Sequence, residues 1–153
     1  MTASNEEHFV GKIAQKAIIV KGDSVLLLRD PRDHGEIWEL PGGRMNVGEE
    51  PRKALARELF EELGCECLIH EVVYMEQFKQ GNEGSNAFMI AYRATMLNPN
   101  ESFTLDSTEV AEARFVRKDE LQTLTLFPQY ERALEIFYQQ TSPILGLPTT
   151  FEP

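Results

Sequence analysis

The sequence predicts one α/β domain, a mixed β-sheet with helices on its faces. Strand-like apolar runs lie on both sides of one strongly helical segment, and a second amphipathic helix closes the pattern. A chain of 153 residues, 42% hydrophobic and 26% charged, supplies one core rather than two and is too apolar for disorder. We divide it into an N-terminal segment 1–12, a domain 13–141 and a tail 142–153.

Between Ile13 and Leu28 the runs AIIV and VLLL flank Lys21, Gly22, Asp23 and Ser24, a hairpin pattern with Gly-Asp as its turn. The stretch DPRDHGEI, with Pro, Gly and alternating charge, reads as a surface loop before Trp38 and Leu40, and Trp38 as packing beside it. From Pro51 to Leu63, PRKALARELFEEL holds strong helix formers between a first-turn proline and the capping Gly64. Cys67 to Phe78 and Ala87 to Met96 carry the aromatic and β-branched content of strands and are expected to pair antiparallel across the loop KQGNEGSN. Glu112 to Arg117 reads as a short strand, Asp119 to Leu124 as a helical turn and Gln129 to Gln140 as a helix. The proline-rich tail from Ser142 reads as irregular.

Charge excludes some functions. Asp and Glu number 25 against 15 Lys and Arg, a net charge of -10 that repels an extended nucleic acid. The apolar runs are far short of the roughly 20 residues that a membrane helix needs. The first ten residues lack the basic start and apolar stretch of a signal peptide, so a cytoplasmic setting is expected. Cys65 and Cys67, two apart, suit neither a disulfide framework nor a zinc site.

On the predicted helix, Glu58, Glu61 and Glu62 stand at i, i+3 and i+4 and share a face. Leu55, Ala56, Leu59, Phe60 and Leu63 are assigned to the opposite, core-facing side, so the carboxylates are expected to point away from the core. Like charges at this spacing repel. A hard divalent cation turns that repulsion into a binding site, whereas Glu-rich helix faces in general are solvated surface.

The surrounding spacing decides between those readings. Gly43 is followed after five residues by Glu49, then after seven by Arg57-Glu58-Leu59-Phe60-Glu61-Glu62-Leu63-Gly64-Cys65. This segment, GRMNVGEEPRKALARELFEELGC, resembles the Nudix box, G-x5-E-x7-R-E-U-x-E-E-x-G-U with U apolar. Seven fixed identities, at on the order of one chance in fifteen each, make coincidence about 10⁻⁸ per window. The approach Trp38 to Gly43 also looks like that of many members.

The resemblance implies an α/β/α sandwich with a mixed sheet and a catalytic helix at about 51–63. It implies Mg²⁺-dependent, or Mn²⁺-dependent, hydrolysis of a pyrophosphate linkage in a nucleoside triphosphate or nucleoside diphosphate derivative, releasing a nucleoside monophosphate. By similarity Glu58 and Glu62 are metal ligands, Glu61 is a third ligand or orients the water, and Gly43 offers its carbonyl to a metal. Arg57 is expected to pair with Glu49 as structural support. In many members a later Glu, about six residues before an aromatic that opens a strand, assists the water; Glu109 before Phe115 fits, with Glu112 the competitor.

Arg29 and Arg44 are the nearest cations in sequence and candidates for phosphate contact. Phe78, Phe88, Tyr92 and Phe127 are candidates to stack on a base, though such residues are more often core. His8, His34 and His70 show no metal or triad spacing. For specificity the chain has Gln80 where ADP-ribose hydrolases often carry proline, lacks the SQPWPFP-like run of NADH-cleaving members, and has Gly81, Asn82 and Glu83 where diadenosine-polyphosphate members tend to have tyrosine. A small phosphorylated nucleotide is left by elimination. The alternatives are a silent nucleotide-binding module and a hydrolase of RNA 5′ ends; homodimers are frequent in the family.

Overall fold

The computed structural model describes residues 6–33 and 36–141; the tail reading and His34 fall outside them. In chain order, strands β1 (Lys12–Lys21), β2 (Ser24–Arg29), β3 (Ile37–Glu39) and β4 (Gly42–Arg44) precede helix α1 (Pro51–Leu63). Strands β5 (Cys67–Gln80), β6 (Ser85–Met96), β7 (Glu112–Arg117) and β8 (Thr125–Leu126) and helix α2 (Pro128–Thr141) follow. Short 3₁₀ turns occupy Pro31–Asp33 and Lys118–Thr123.

The sheet is mixed and splits around β1 and β2. Gly22, at φ 62°, carries the expected turn, but the hairpin spans only the pairs Val20 with Val25 and Lys21 with Ser24. Beyond its tip β1 runs parallel to β6 and β2 antiparallel to β7. The reason lies in burial: Ala17 to Ile19 and Val25 to Leu28 are shielded on both faces, and continuous apolar strands of this kind sit inside a sheet with neighbours on both sides. β5 and β6 pair antiparallel over almost their whole length, as expected.

Two short strands in the WELPGG stretch escaped the sequence reading. β3 pairs with β2 and β4 with β1, so the chain passes from one half of the sheet to the other through Leu40 and Pro41. Leu40 is wholly buried there, and the Ala17 N–H donates to the Pro41 carbonyl at 2.8 Å.

The helices lie on opposite faces, giving the α/β/α sandwich. α1 buries Leu55, Leu59 and Leu63 against Ile19, Leu26 and Leu28. α2 buries Ala133, Leu134 and Phe137 against Ile18, Leu27 and Met89. α1 begins at Glu50, whose carboxylate accepts from the Arg52 and Lys53 N–H groups at 3.2 and 3.0 Å. It ends at Gly64, φ 69°, whose N–H donates to the Phe60 carbonyl at 2.8 Å.

One expectation about α1 is corrected. The stripe turned to the core is Ala54, Leu55, Leu59 and Leu63; Phe60 is 55% exposed, and Glu62 is only 5% exposed. Glu62 follows Leu59 by three residues and Leu55 by seven, which puts it on the edge of the buried stripe, against β4 and the start of β1. The three carboxylates do not all point away from the core.

Candidate active site

The site forms at β4, just after the chain has crossed from one half of the sheet to the other. Gly42 pairs with Lys16 and Gly43 with Gln15, which puts two residues without side chains against α1. A Cβ added at Gly43 would stand 2.4 Å from the Glu58 carboxylate, and one at Gly42 would stand 2.1 Å from the Gln15 carbonyl oxygen. Glycine is needed at both positions for the close approach, and at Gly42 also for its φ of 136°.

Glu58, Glu62, Gly43 and Glu109 line one cleft of about 390 Å³, Glu109 from the turn before β7. Glu62 accepts a hydrogen bond from the Gly42 N–H at 2.9 Å. Burial pushes the Glu62 carboxyl up to about 8, against the opposing pull of Lys16 and of that N–H. Burial also raises Glu58, which Arg57 partly offsets and Glu61 reinforces.

Arg57 gathers the other carboxylates. Its Nε and Nη2 donate to the two oxygens of Glu49 at 2.6 and 3.0 Å, while Nη1 reaches Glu58 at 3.2 Å and Glu61 at 3.1 Å. The Asn46 N–H donates to Glu49 at 2.8 Å, so the loop entering α1 is tied to the middle of the helix. Glu61 is turned to Arg57 and lies outside the residues that line the cleft.

The donor set suits a hard divalent cation: carboxylate oxygens and a glycine carbonyl, two of the carboxylates raised by burial and mutual repulsion. Among the described residues no three carboxylate, His or Cys side chains converge as a ready-made ligand set.

The other candidates separate clearly. Arg44 lines the cleft, whereas Arg29 forks onto Glu112 at 2.6 and 3.0 Å beside Trp38. Glu112 is thereby engaged outside the cleft that Glu109 enters. Of the aromatic candidates only Phe78 lines the cleft. Tyr92 is buried under α1 with its hydroxyl accepting from Gln15, Phe88 packs edge-on against Phe9, and Phe127 packs on Tyr130. Cys65 and Cys67 are free and buried, and burial pushes the Cys67 thiol up to about 11. The His70 ring meets the Thr95 hydroxyl, and its carbonyl accepts from Arg52 Nε at 3.2 Å.

Sequence reasoning missed Lys16, Glu39 and Tyr130, which also line the cleft. The Lys16 ammonium is 3.4 Å from the Gly42 carbonyl that it donates to, 3.8 Å from Glu39 and 5.4 Å from the Tyr130 ring centre. Burial by itself lowers Lys16, but Tyr130, Glu39 and Glu62 around it outweigh this and hold it above the ordinary lysine range. A lone lysine interrupting an apolar strand was the available signal; Tyr130 left none.

A sheet between two helices, with glycines opening a cleft onto a helix-borne carboxylate cluster, defines an α/β/α protein built around a loop-helix site. The chain belongs to the NUDIX domain family, whose pattern matches residues 12–137. It is 41% identical over 63 residues to the CTP pyrophosphohydrolase of Escherichia coli strain K12, covering 40% of this chain and 47% of that protein. It is 43% identical over 54 residues to the 8-oxo-dGTP diphosphatase of Proteus vulgaris, covering 34% of this chain and 48% of that protein. These matches therefore span about half the length of the relatives. The solved structure of a NUDIX hydrolase from Nitrosomonas europaea shares the fold, with a TM-score of 0.75 at 20% identity over 93% of this chain and 98% of that one.

Proposed function

We propose that this protein hydrolyses a pyrophosphate linkage in a nucleoside triphosphate, or a small nucleoside diphosphate derivative, with Mg²⁺ or Mn²⁺ and releases a nucleoside monophosphate. The observation that carries this reading is the meeting of Glu58, Glu62, Gly43 and Glu109 around one cleft. The names of the relatives, a CTP pyrophosphohydrolase and an 8-oxo-dGTP diphosphatase, favour the triphosphate.

In this reading Glu58, Glu62 and the Gly43 carbonyl hold the divalent ion, with Glu61 released from Arg57 as a further ligand or water-orienting group. When bound, such an ion would neutralise the pyrophosphate oxygens and lower the pKa of water. Glu109, which lines the same cleft, accepts the proton of the attacking water. Arg44 pairs with substrate phosphate, and Arg57 with Glu49 fixes the loop against α1. Arg29, forked onto Glu112, serves the phosphate only by exchanging that partner. A cytoplasmic setting and a homodimer complete the reading; among the described residues no helix is long and apolar enough to cross a membrane.

The test is a hydrolysis screen of nucleoside triphosphates, nucleotide sugars, ADP-ribose, dinucleoside polyphosphates and coenzyme A with Mg²⁺ or Mn²⁺, beside Glu62→Gln. Metal-dependent release of nucleoside monophosphate by the wild type alone is expected. No turnover above the Glu62→Gln blank overturns the reading and leaves a silent binding module.

A further inference from the structure

The α2 face of the sheet carries a stripe of cations that the hydrolytic centre does not use up. Lys12 and Lys16 lie on the same face of β1, and Arg44 on β4 sits opposite Ala14 between them. Four residues of strand separate the two lysines, about 13 Å. At the inner end Lys16 is enclosed by Glu39, Tyr130 and the Gly42 carbonyl. At the outer end the side chains of Lys12 and Arg44 make no hydrogen bond, ion pair or ring contact among the described residues.

That freedom is unusual in this chain. Arg29 is matched with Glu112, Arg32 with Asp30, Arg57 with Glu49 and Arg132 with Glu76, as expected where carboxylates outnumber cations 25 to 15. Lys12 and Arg44 instead line a second chamber of about 380 Å³, at the turn between β5 and β6. Arg44 and Gln80 line both this chamber and the cleft of Glu58 and Glu62, so the two adjoin. Glu83 contributes the one carboxylate there, which leaves a local excess of one positive charge within a strongly acidic protein. Asn82 and Ser85 add neutral polar groups.

We propose that Lys12 and Arg44 form a phosphate subsite in this outer chamber, taking a phosphoryl group that the substrate carries outside the linkage to be hydrolysed. The inference rests on the pyrophosphohydrolase reading and sharpens it: the chain selects nucleoside triphosphates over diphosphate derivatives that end in a neutral group. The chemistry is that of Arg and Lys on phosphate, a forked guanidinium and a mobile ammonium on opposite sides of an oxyanion. Because both side chains are exposed, the contribution is screened by salt.

The test measures binding, so it does not depend on turnover. The α,β-methylene analogues of cytidine triphosphate and cytidine diphosphate, and the same guanosine pair, are titrated calorimetrically in Mg²⁺ into wild type, Lys12→Gln/Arg44→Gln and Lys12→Arg/Arg44→Lys. The expected result is a wild-type preference for the triphosphate analogue that falls at least about tenfold in the Gln pair, a loss of 1.4 kcal/mol. Diphosphate affinity falls several-fold less than triphosphate affinity, and the charge-conserving pair keeps most of the preference. Raising salt from 50 to 500 mM, roughly a threefold contraction of the screening length, narrows the wild-type preference and leaves the Gln pair unmoved. The subsite is overturned if wild type has no preference, if the Gln pair keeps it, or if both analogues weaken alike. Failure of the hydrolysis screen with this preference intact would instead overturn the enzymatic reading, so the two failures are distinct.

Discussion

Two regions of α1 solve the same electrostatic problem in opposite ways. Along the outer edge, Glu49, Glu58 and Glu61 crowd together and a single guanidinium, Arg57, reaches all three. At the inner edge Glu62 is almost wholly buried at the wall of the cleft, accepts from one backbone N–H and feels the charge of the buried Lys16. The outer region holds its charges by pairing and can let them go. The inner region holds its carboxylate by geometry, at the expense of solvation, and burial favours its protonated form. The difference separates a reserve of ligands from a fixed anchor.

The largest effect is expected at the anchor. Glu62→Gln should lower kcat by about 10³-fold or more, measured as nucleoside monophosphate release, because Glu62 is a metal ligand in the proposed function and such a ligand contributes several kcal/mol to the barrier. The same variant should be no less stable without metal than the wild type; a large drop in its melting temperature would erase the contrast between the regions. Gly43→Ala, which drives a methyl group into Glu58, should cost about 10²-fold in kcat/KM, the usual scale for a displacement near 1 Å, and about 1–3 kcal/mol of stability by denaturant titration. Glu109→Gln should lower kcat about 10²-fold with KM little changed; near wild-type turnover would remove Glu109 from the chemistry.

A pH titration in chelator sharpens the comparison further. Folding raises the Glu62 carboxyl from its ordinary value of 4.5 to about 8, so across that window the folded state binds more protons than the unfolded one. Stability should fall as pH rises from 4.5 to about 8, and Glu62→Gln should flatten that slope. Glu49 and Glu50, lowered by hydrogen bonds from Arg57 and from the Arg52 N–H, titrate below the window and leave its sign unchanged. The smallest effect belongs to the outer edge: Arg57→Ala should cost about 1 kcal/mol or less in stability, shrinking with salt, because the group is a third exposed.

The parts legible in the sequence were local. α1, its first-turn proline and capping Gly64 follow from neighbouring residues, and the spacing from Gly43 to Cys65 carries the family. What stayed hidden depends on partners far along the chain. Arg29 looked free until the β2 to β7 register set it beside Glu112. The hairpin looked complete because nothing local shows that β1 belongs with β6. Counting by 100° put Glu62 with the exposed glutamates and Phe60 with the core, since periodicity fixes relative angles on a helix but not which edge of its stripe a sheet will cover.

The Gly42 residue ties these threads together. Its N–H is held by Glu62 on α1 while its carbonyl is held by Lys16 on β1, so one residue without a side chain joins helix and sheet. That makes the Gly42 amide proton a native spectroscopic probe. Its resonance reads the charge of a carboxylate that has no chromophore of its own, and a single peak in an amide spectrum follows what happens at the anchor without altering the protein.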